Sequence, residues 1–213
     1  MSYDEHDAAM DEMYERMSDE LYPEHRERAI EEFTTERFHS YYKQHSFVMR
    51  PAVDMLQEGN RLRDAGHFAA AVIFYASAVE LLLKATVLRP VMAGLIHNDK
   101  LADVVVKHTL TGTGYARYSQ LLSGFFDELA SINLQTISRE GQKPLLEECT
   151  DLRRLRNDVI HEGTTRTVAD ADFGNAVVNA VFKLLVNPML YALELTVVER
   201  GEIREATAVY GKG

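Results

Sequence analysis

The chain has 213 residues, of which 46% are hydrophobic and 26% are charged, so it is long enough to bury a core of its own. Its single cysteine excludes an internal disulfide framework and a cysteine-rich zinc site, and it indicates a reducing compartment. No apolar run approaches the roughly 20 residues that a membrane-spanning helix needs. The sequence therefore predicts a soluble, cytoplasmic protein with no membrane partner.

The acidic residues are concentrated near the N-terminus. Residues 1–36 carry 13 acidic and 3 basic side chains, which account for the whole formal net charge of -10. Apolar residues at helical spacing predict an amphipathic helix over residues 5–21, ended near Pro23, and a second short helix over residues 24–33. Residues 1–45 are therefore predicted to form an acidic helical extension. It is either an arm docked on its own body or on a sister subunit, or an arm that shields a basic nucleic-acid site.

Helical periodicity continues through the rest of the chain. Four long helices with apolar faces are predicted, together with an accessory helix over residues 118–129. The four long helices span residues 48–64, 67–88, 145–161 and 170–198. Gly66 and Gly163 follow two of them and are predicted to supply left-handed residues at the helix ends, and Pro188 predicts a kink in the last helix.

Other segments leave alternatives open. Residues 101–106 fit either a short helix or a buried strand. Four aromatic residues near the N-terminus belong either to the core or to a surface that stacks bases: Phe38, Tyr41, Tyr42 and Phe47. Residues 66–78 resemble one tetratricopeptide unit, but no second copy follows at that family's period of about 34 residues, so a solenoid is not expected. The whole pattern predicts an all-α helical bundle over residues 46–200, with a frayed tail over residues 201–213.

Residues 152–163, with the sequence LRRLRNDVIHEG, are the most informative stretch of the chain. On a helical wheel they form an apolar stripe of Leu152, Leu155 and Val159 and a polar stripe of Arg153, Asn157 and His161. Arg156 belongs to neither stripe and lies at the edge of the apolar face. A guanidinium group is unfavourable there unless it is paired or faces a subunit interface.

Residues 156–161, Arg-Asn-Asp-Val-Ile-His, resemble the signature of the HEPN superfamily, in which an arginine and a polar residue are followed by three more residues and a histidine. Residues 78–84, with the sequence AVELLLK, resemble the first core helix of that family, and the helix order over about residues 48–198 agrees. The resemblance implies four core helices plus accessory helices, and a homodimer in which two motifs face each other across a cleft. Many members are metal-independent endoribonucleases of toxin–antitoxin pairs, phage defence and CRISPR effectors, and their cleavage leaves a 2′,3′-cyclic phosphate. Others have lost catalysis and serve as binding modules.

The residue types of the motif suit this chemistry. Histidine titrates near neutral pH, so His161 is the candidate acid or base for the attack of a ribose 2′-OH on the adjacent phosphorus. Arg156 offers planar, permanently charged donors to the charge that develops on the phosphate. Asn157 is expected to orient the imidazole or to bind the phosphate. These groups require neither a metal ion nor a cofactor.

Further charged residues are candidates for supporting roles. Arg153 either contacts an RNA phosphate or is simply solvated. Glu80 and Lys84 lie four residues apart on one helix and can pair with each other. Glu80 is also a candidate partner of Arg156, either as a purely structural bridge or as a group that sets the charge of the site.

Two observations argue against parts of this interpretation. Asp158 and Glu162 are expected to face solvent beside the motif, where their negative charge disfavours RNA. Gly163 occupies the position where related toxins often carry a tyrosine that is modified with AMP, so that form of regulation is not expected. The leading hypothesis is a metal-independent endoribonuclease that acts on RNA as a toxin or antiviral component, with an antitoxin or defence protein as partner. The alternatives are a non-catalytic HEPN module that binds a nucleotide or a partner protein, and a purely structural role for Arg156 and His161.

Overall fold

The computed structural model describes residues 36–90, 123, 124, 126, 127 and 130–211. This part of the chain is mostly helical and carries a small two-stranded antiparallel sheet, so the prediction of a helical architecture is confirmed. The helices are α1 (residues 36–44), α2 (Arg50–Asp64), α3 (Phe68–Leu81), α4 (Leu145–Glu162), α5 (Val168–Val181), α6 (Asn187–Ala192) and α7 (Ala206–Tyr210). The strands are β1 (Leu195–Val197) and β2 (Ile203–Glu205). The predicted helices over residues 5–21 and 24–33 and the segment 101–106 lie outside the described residues.

The ring of Tyr75 on α3 contacts both α2 and α5. Tyr75 lies on α3 and is fully buried, and its ring faces Gly59 on α2 and Gly174 on α5. A Cβ atom on Gly59 would lie 2.7 Å from the ring, and one on Gly174 would lie 2.9 Å from it. The Tyr75 hydroxyl donates a hydrogen bond to Oδ1 of Asn60 at 2.9 Å. Glycine at both positions therefore lets two helices close on a large aromatic side chain at the density of a protein interior.

The helix directions follow from the same contacts. Tyr75 packs against Gly174, and the segments that follow α3 and α5 also contact each other, so these two helices run in the same direction. Leu152 on α4 lies against Gly174 as well, and only residues 163–167 separate α4 from α5, so α4 runs antiparallel to both. The last turn of α4 therefore lies at the same end of the bundle as the first turns of α3 and α5.

Both long core helices widen into π-helical turns. α3 continues into Leu82–Leu88, and α5 continues into Phe182–Val186 before α6 begins. A proline lacks the N–H that would close an α-helical turn, and its ring crowds the carbonyl four residues earlier, so a wider turn just before Pro188 relieves both problems. The predicted continuous helix over residues 170–198 is therefore too long. Its helical part ends at Ala192.

The first half of α4 is held in the core by an ion pair. Glu148 is only 1% exposed, and Nε of Arg139 donates to its carboxylate at 2.9 Å. A second donor of the same guanidinium completes a bidentate contact. Cys149 and Leu152 are buried beside it. Burial, with a smaller contribution from the charge of Glu148, raises the pKa of the Cys149 thiol to about 12.

The C-terminal segment differs from the prediction. Residues 201–213 were expected to be frayed, but through Tyr210 they form β2 and α7. Ile203 is buried, and its N–H donates to the carbonyl of Ser46 at 2.8 Å. Gly201 packs so closely against Val53 that a Cβ atom there would lie 2.8 Å from that side chain. The hairpin is thus held by a segment more than 140 residues earlier in the chain, which local sequence patterns do not reveal.

Helix α1 packs with the bundle. Phe38 and Tyr42 lie in the hydrophobic core, and the Tyr42 hydroxyl donates to the carbonyl of Thr86. Phe47 is exposed and stacks under the guanidinium of Arg50 at 4.1 Å. The described part of the predicted extension, residues 36–45, therefore packs on the bundle. The rest of the predicted acidic extension, residues 1–35, lies outside the described residues.

One helical stretch of the described chain, Val168–Ala192, is long and apolar enough to cross a membrane by length and composition alone. It is not a continuous apolar run, because Asp170, Asp172 and Lys183 interrupt it. Half of its most apolar window is buried inside the fold, as is usual for a core helix of a bundle.

Candidate active site at the end of helix α4

The motif residues occupy the last two turns of α4. The helix ends at Gly163, whose φ of 66° places it in the left-handed region, and its N–H donates to the carbonyl of Val159 at 3.2 Å. The predicted left-handed end residue is thus confirmed. In this final turn Ile160, His161 and Glu162 are exposed.

The exposure of the side chains follows the helical wheel. Leu152 is fully buried, and Arg153 and Asn157 are half-buried. Successive residues are rotated by about 100°, which places His161, nine residues after Leu152, on the opposite side of the helix. His161 is exposed. The polar stripe therefore faces outward, as the sequence predicts.

Arg156 lies next to this stripe and orients Asn157. Its Nη1 donates to Oδ1 of Asn157 at 2.9 Å, and both side chains are half-buried. The amide oxygen of Asn157 is therefore engaged by the guanidinium, whereas the expected bond between Asn157 and the imidazole of His161 is not formed. Within the described part of the chain, Arg156 has no carboxylate within salt-bridge distance, and its positive charge remains available to a ligand.

Glu80 and Lys84 lie elsewhere in the bundle. They form the ion pair expected from their spacing, at 3.5 Å, so Glu80 is paired with Lys84 and does not bridge to Arg156. Tyr75 and Leu152 share one level of the bundle. Glu80 lies five residues beyond Tyr75 on α3, and Arg156 lies four residues beyond Leu152 in the opposite direction. At a rise of 1.5 Å per residue, the two levels are about 13 Å apart. Neither Glu80 nor Lys84 belongs to the motif face.

Asp158 is not the free carboxylate that the sequence predicts. Nη2 of Arg166 donates to Oδ2 of Asp158 at 2.7 Å and to the carbonyl of Leu155 at 3.2 Å. The Arg166 side chain is only 14% exposed. Sequence reasoning missed this residue, although its place three residues after Gly163 allows the chain to turn back onto the helix.

The other cations of α4 divide into two kinds. Arg154 is exposed and paired with Asp151 at 3.0 Å, so it forms an ordinary solvated ion pair. Arg153 has no ion-pair partner among the described residues and lies on the same stripe as His161. Glu162 is exposed beside the motif, as expected.

Two large apolar side chains are exposed next to the motif. Ile160 precedes His161 and is 45% exposed, and Val168 at the start of α5 is 52% exposed. Both lie at the end of the bundle where α4 stops and α5 begins. The charged groups of the motif are therefore bordered by a surface that water solvates poorly.

Comparison with known protein families, characterised proteins and solved structures gives no match for this chain. No group of three or more histidine, cysteine or carboxylate side chains within the described ranges is arranged to hold a metal ion. What the end of α4 does present is a fixed guanidinium and an imidazole on adjacent turns, a pair that suits the binding of a phosphate and the transfer of a proton.

Proposed function

We propose that this protein is a HEPN-type endoribonuclease that cleaves RNA by attack of a ribose 2′-OH, without a metal ion. It acts in the cytoplasm as a toxin or antiviral component, held in check or activated by an antitoxin or defence protein. The observation that carries the proposal is the arrangement at the end of α4. Arg156 has no carboxylate partner in the described part of the chain and fixes Asn157, and His161 is exposed five residues after Arg156.

The helical architecture supports the proposal in a general way. An Ala-rich central helix, α3, packs between α2 and α5, and the motif helix precedes the last long helix, which is the order that the HEPN resemblance implies. The motif then lies at one end of the bundle. There a long, single-stranded or looped RNA reaches it without having to enter a closed pocket.

The proposed reaction follows from the two side chains. The 2′-oxygen attacks the adjacent phosphorus as the bond from phosphorus to the 5′-oxygen breaks, which produces a 2′,3′-cyclic phosphate and a 5′-hydroxyl. His161 takes the proton from the 2′-OH or donates one to the leaving 5′-oxygen, and solvent water carries out the other of these two proton transfers. Arg156 stabilises the negative charge on the non-bridging oxygens, and Asn157, fixed through its oxygen, directs its amide N–H groups to the same phosphate.

A homodimer would complete the site. Ile160 and Val168 expose apolar surface beside His161, and a second copy of the same surface would remove both from water across a twofold axis. In that arrangement the two motifs would face a common cleft. Arg156 would then lie at the interface, which accounts for its place at the edge of the apolar stripe.

The test uses purified protein and a labelled single-stranded RNA in buffer with EDTA. Wild-type protein is expected to cleave the RNA and to leave 2′,3′-cyclic phosphate ends, detected by mass spectrometry. His161→Ala and Arg156→Ala should each reduce the rate by about 100-fold or more, because each removes a group that acts in the transition state.

Matched controls separate a catalytic role from a general change of charge. Arg154→Ala removes a guanidinium from the same helix, and His45→Ala removes an exposed imidazole on the turn before α2. Both are expected to cleave within about twofold of the wild-type rate, since surface substitutions of this kind have small effects. Equal rates for all four variants, or a wild-type protein that cuts no RNA, would refute the proposal.

The exposed apolar residues beside the motif also suit the alternative of a non-catalytic HEPN module that binds a nucleotide or a partner protein. In that case binding persists in His161→Ala, and no cyclic phosphate forms. Equilibrium binding distinguishes the two functions. The binding of a non-cleavable 2′-O-methyl RNA and of nucleotides is measured for His161→Ala and compared with that of the wild-type protein. Binding of a nucleotide but not of RNA, without turnover, would favour the module.

A further inference from the structure

We infer that Arg166 is a positioning residue of the motif, which neutralises Asp158 and anchors the connection 163–167 beneath the last turns of α4. The inference rests on the proposed function and extends it to a residue outside the Arg–His motif. It also removes the main electrostatic objection to RNA as the ligand, because one of the two carboxylates beside His161 is not a free negative charge.

The contacts of Arg166 differ from those of a surface ion pair. Its Nη2 bonds both to the carboxylate of Asp158, at 2.7 Å, and to the main-chain carbonyl of Leu155, at 3.2 Å. The side chain is 14% exposed, so solvent and salt screen the pair less than they screen the exposed pair of Arg154 and Asp151. A single side chain therefore fixes the connection to two points on the helix that carries the motif.

The place of Asp158 on the helix makes its charge important. Asp158 lies three residues before His161, a spacing at which Cβ atoms on an α-helix are about 5–6 Å apart. An unpaired carboxylate at that distance would repel a phosphate that approaches His161 and Arg156. Bound to Arg166, the carboxylate forms a neutral pair, so that Arg156 and Arg153 outnumber the one remaining carboxylate beside the motif, Glu162.

The anchoring contact has a second consequence. The carbonyl of Leu155 lies nearly two turns before the end of α4, so its bond to Arg166 ties the connection 163–167 to the body of the helix. Arg166 thereby favours the helical state of the last turn, on which His161 stands. Loss of the side chain frees the connection and lets that turn fray.

Three variants of Arg166 separate charge from anchoring. Arg166→Ala removes both, Arg166→Gln keeps donors for Asp158 and Leu155 without the charge, and Arg166→Lys keeps the charge. We expect Arg166→Ala and Arg166→Gln to lower kcat/KM for RNA cleavage by about tenfold, mainly through a higher KM. Arg166→Lys should retain at least half of the wild-type value.

The decisive variant combines Arg166→Gln with Asp158→Asn. If Arg166 acts by neutralising Asp158, removal of the carboxylate restores kcat/KM to within about threefold of wild type. A merely structural role for Arg166 would not be rescued by this second substitution. Arg154→Ala, which removes an exposed cation from the same helix, serves as the control and should leave kcat/KM within about twofold. A double variant as impaired as Arg166→Gln overturns the neutralising role.

Amide hydrogen exchange tests the anchoring independently of RNA cleavage. Exchange over residues 158–167 should be at least about tenfold faster in Arg166→Ala than in wild type, with no change in Arg154→Ala. Unchanged exchange overturns the anchoring role. If wild-type protein neither cleaves nor binds RNA, the proposed function fails together with the RNA part of this inference, while the exchange experiment still decides whether Arg166 holds the end of α4.

Discussion

The two halves of α4 are built for different purposes. Residues 145–152 turn one face into the core, where Glu148 is paired with Arg139 and Cys149 is buried. Residues 153–162 show the opposite pattern, with an exposed histidine and an arginine that has no carboxylate partner in the described chain. One continuous helix thus fixes the motif with its first half and presents it with its second. Stability and function can therefore be perturbed separately.

Glu148→Ala, in the first half of α4, should cause the largest loss of stability. Removal of one partner leaves the Arg139 guanidinium without its bidentate acceptor and opens space in the core, and we expect a loss of about 3 kcal/mol in the free energy of unfolding. Urea denaturation measures it, with Glu147→Ala, an exposed neighbour, as the control that should change by less than about 0.5 kcal/mol. RNA cleavage per folded molecule should not change. A Glu148→Ala protein that is as stable as wild type but has lost its activity would show that the first half of α4 serves function and not stability.

The buried thiol of Cys149, in the first half of α4, makes the stability of the fold depend on pH in the alkaline range. Because the pKa of Cys149 is about 12 in the folded chain and near its ordinary value of 9.0 when unfolded, the unfolded chain loses the proton first as pH rises. The contribution of the protonated thiol to the free energy of unfolding is therefore fully present below pH 9. It declines above that pH, by about 2 kcal/mol between pH 9 and 11.

Cys149→Ala lacks this ionisation and isolates its effect. Between pH 9 and pH 11 the unfolding free energy of the wild type should fall by about 2 kcal/mol relative to that of Cys149→Ala. Tyr42 and the other titrating groups are present in both proteins, so their effects cancel in this difference. Chemical denaturation at several pH values measures the difference. A constant difference would show that Cys149 is not sealed in the core.

Gly163→Ala tests how much the left-handed residue between α4 and the connection 163–167 contributes to stability. A side chain at a φ of 66° is strained although no atom lies within 4 Å of the new Cβ, so we expect a loss of about 1 kcal/mol. Gly163→Asn, which tolerates the left-handed region better, should lose no more than about half as much. Thermal unfolding of both proteins compares them. Equal effects of the two substitutions would mean that the strain lies elsewhere.

Local patterns in the sequence were enough to predict the bundle helices. The apolar periodicity gives α2, α3 and α4 to within a few residues, and Gly66 and Gly163 have the left-handed conformation expected of them. These features depend on neighbours within one or two turns, so a single sequence contains the information. The same holds for the pairing of Glu80 with Lys84.

Features that depend on how separate segments meet in the fold were not predictable in this way. The pairing of Arg139 with Glu148, and of Arg166 with Asp158, is decided by how two segments meet after folding. The hairpin of β1 and β2 packs against residues near Ser46, so its sequence alone looks like a frayed end. For the candidate site, the motif and its outward direction were predictable, whereas the neutralisation of Asp158 required the tertiary structure.

The contact of Tyr75 with two glycines also restricts how this sequence can vary. Because the ring leaves no space for a methyl group at position 59 or 174, those positions and position 75 cannot change independently. A homologue that acquires alanine at either glycine should carry a smaller residue in place of Tyr75, and one that keeps the tyrosine should keep both glycines. Three residues spread over 116 positions of the chain therefore form one signature, by which diverged relatives of this bundle can be recognised.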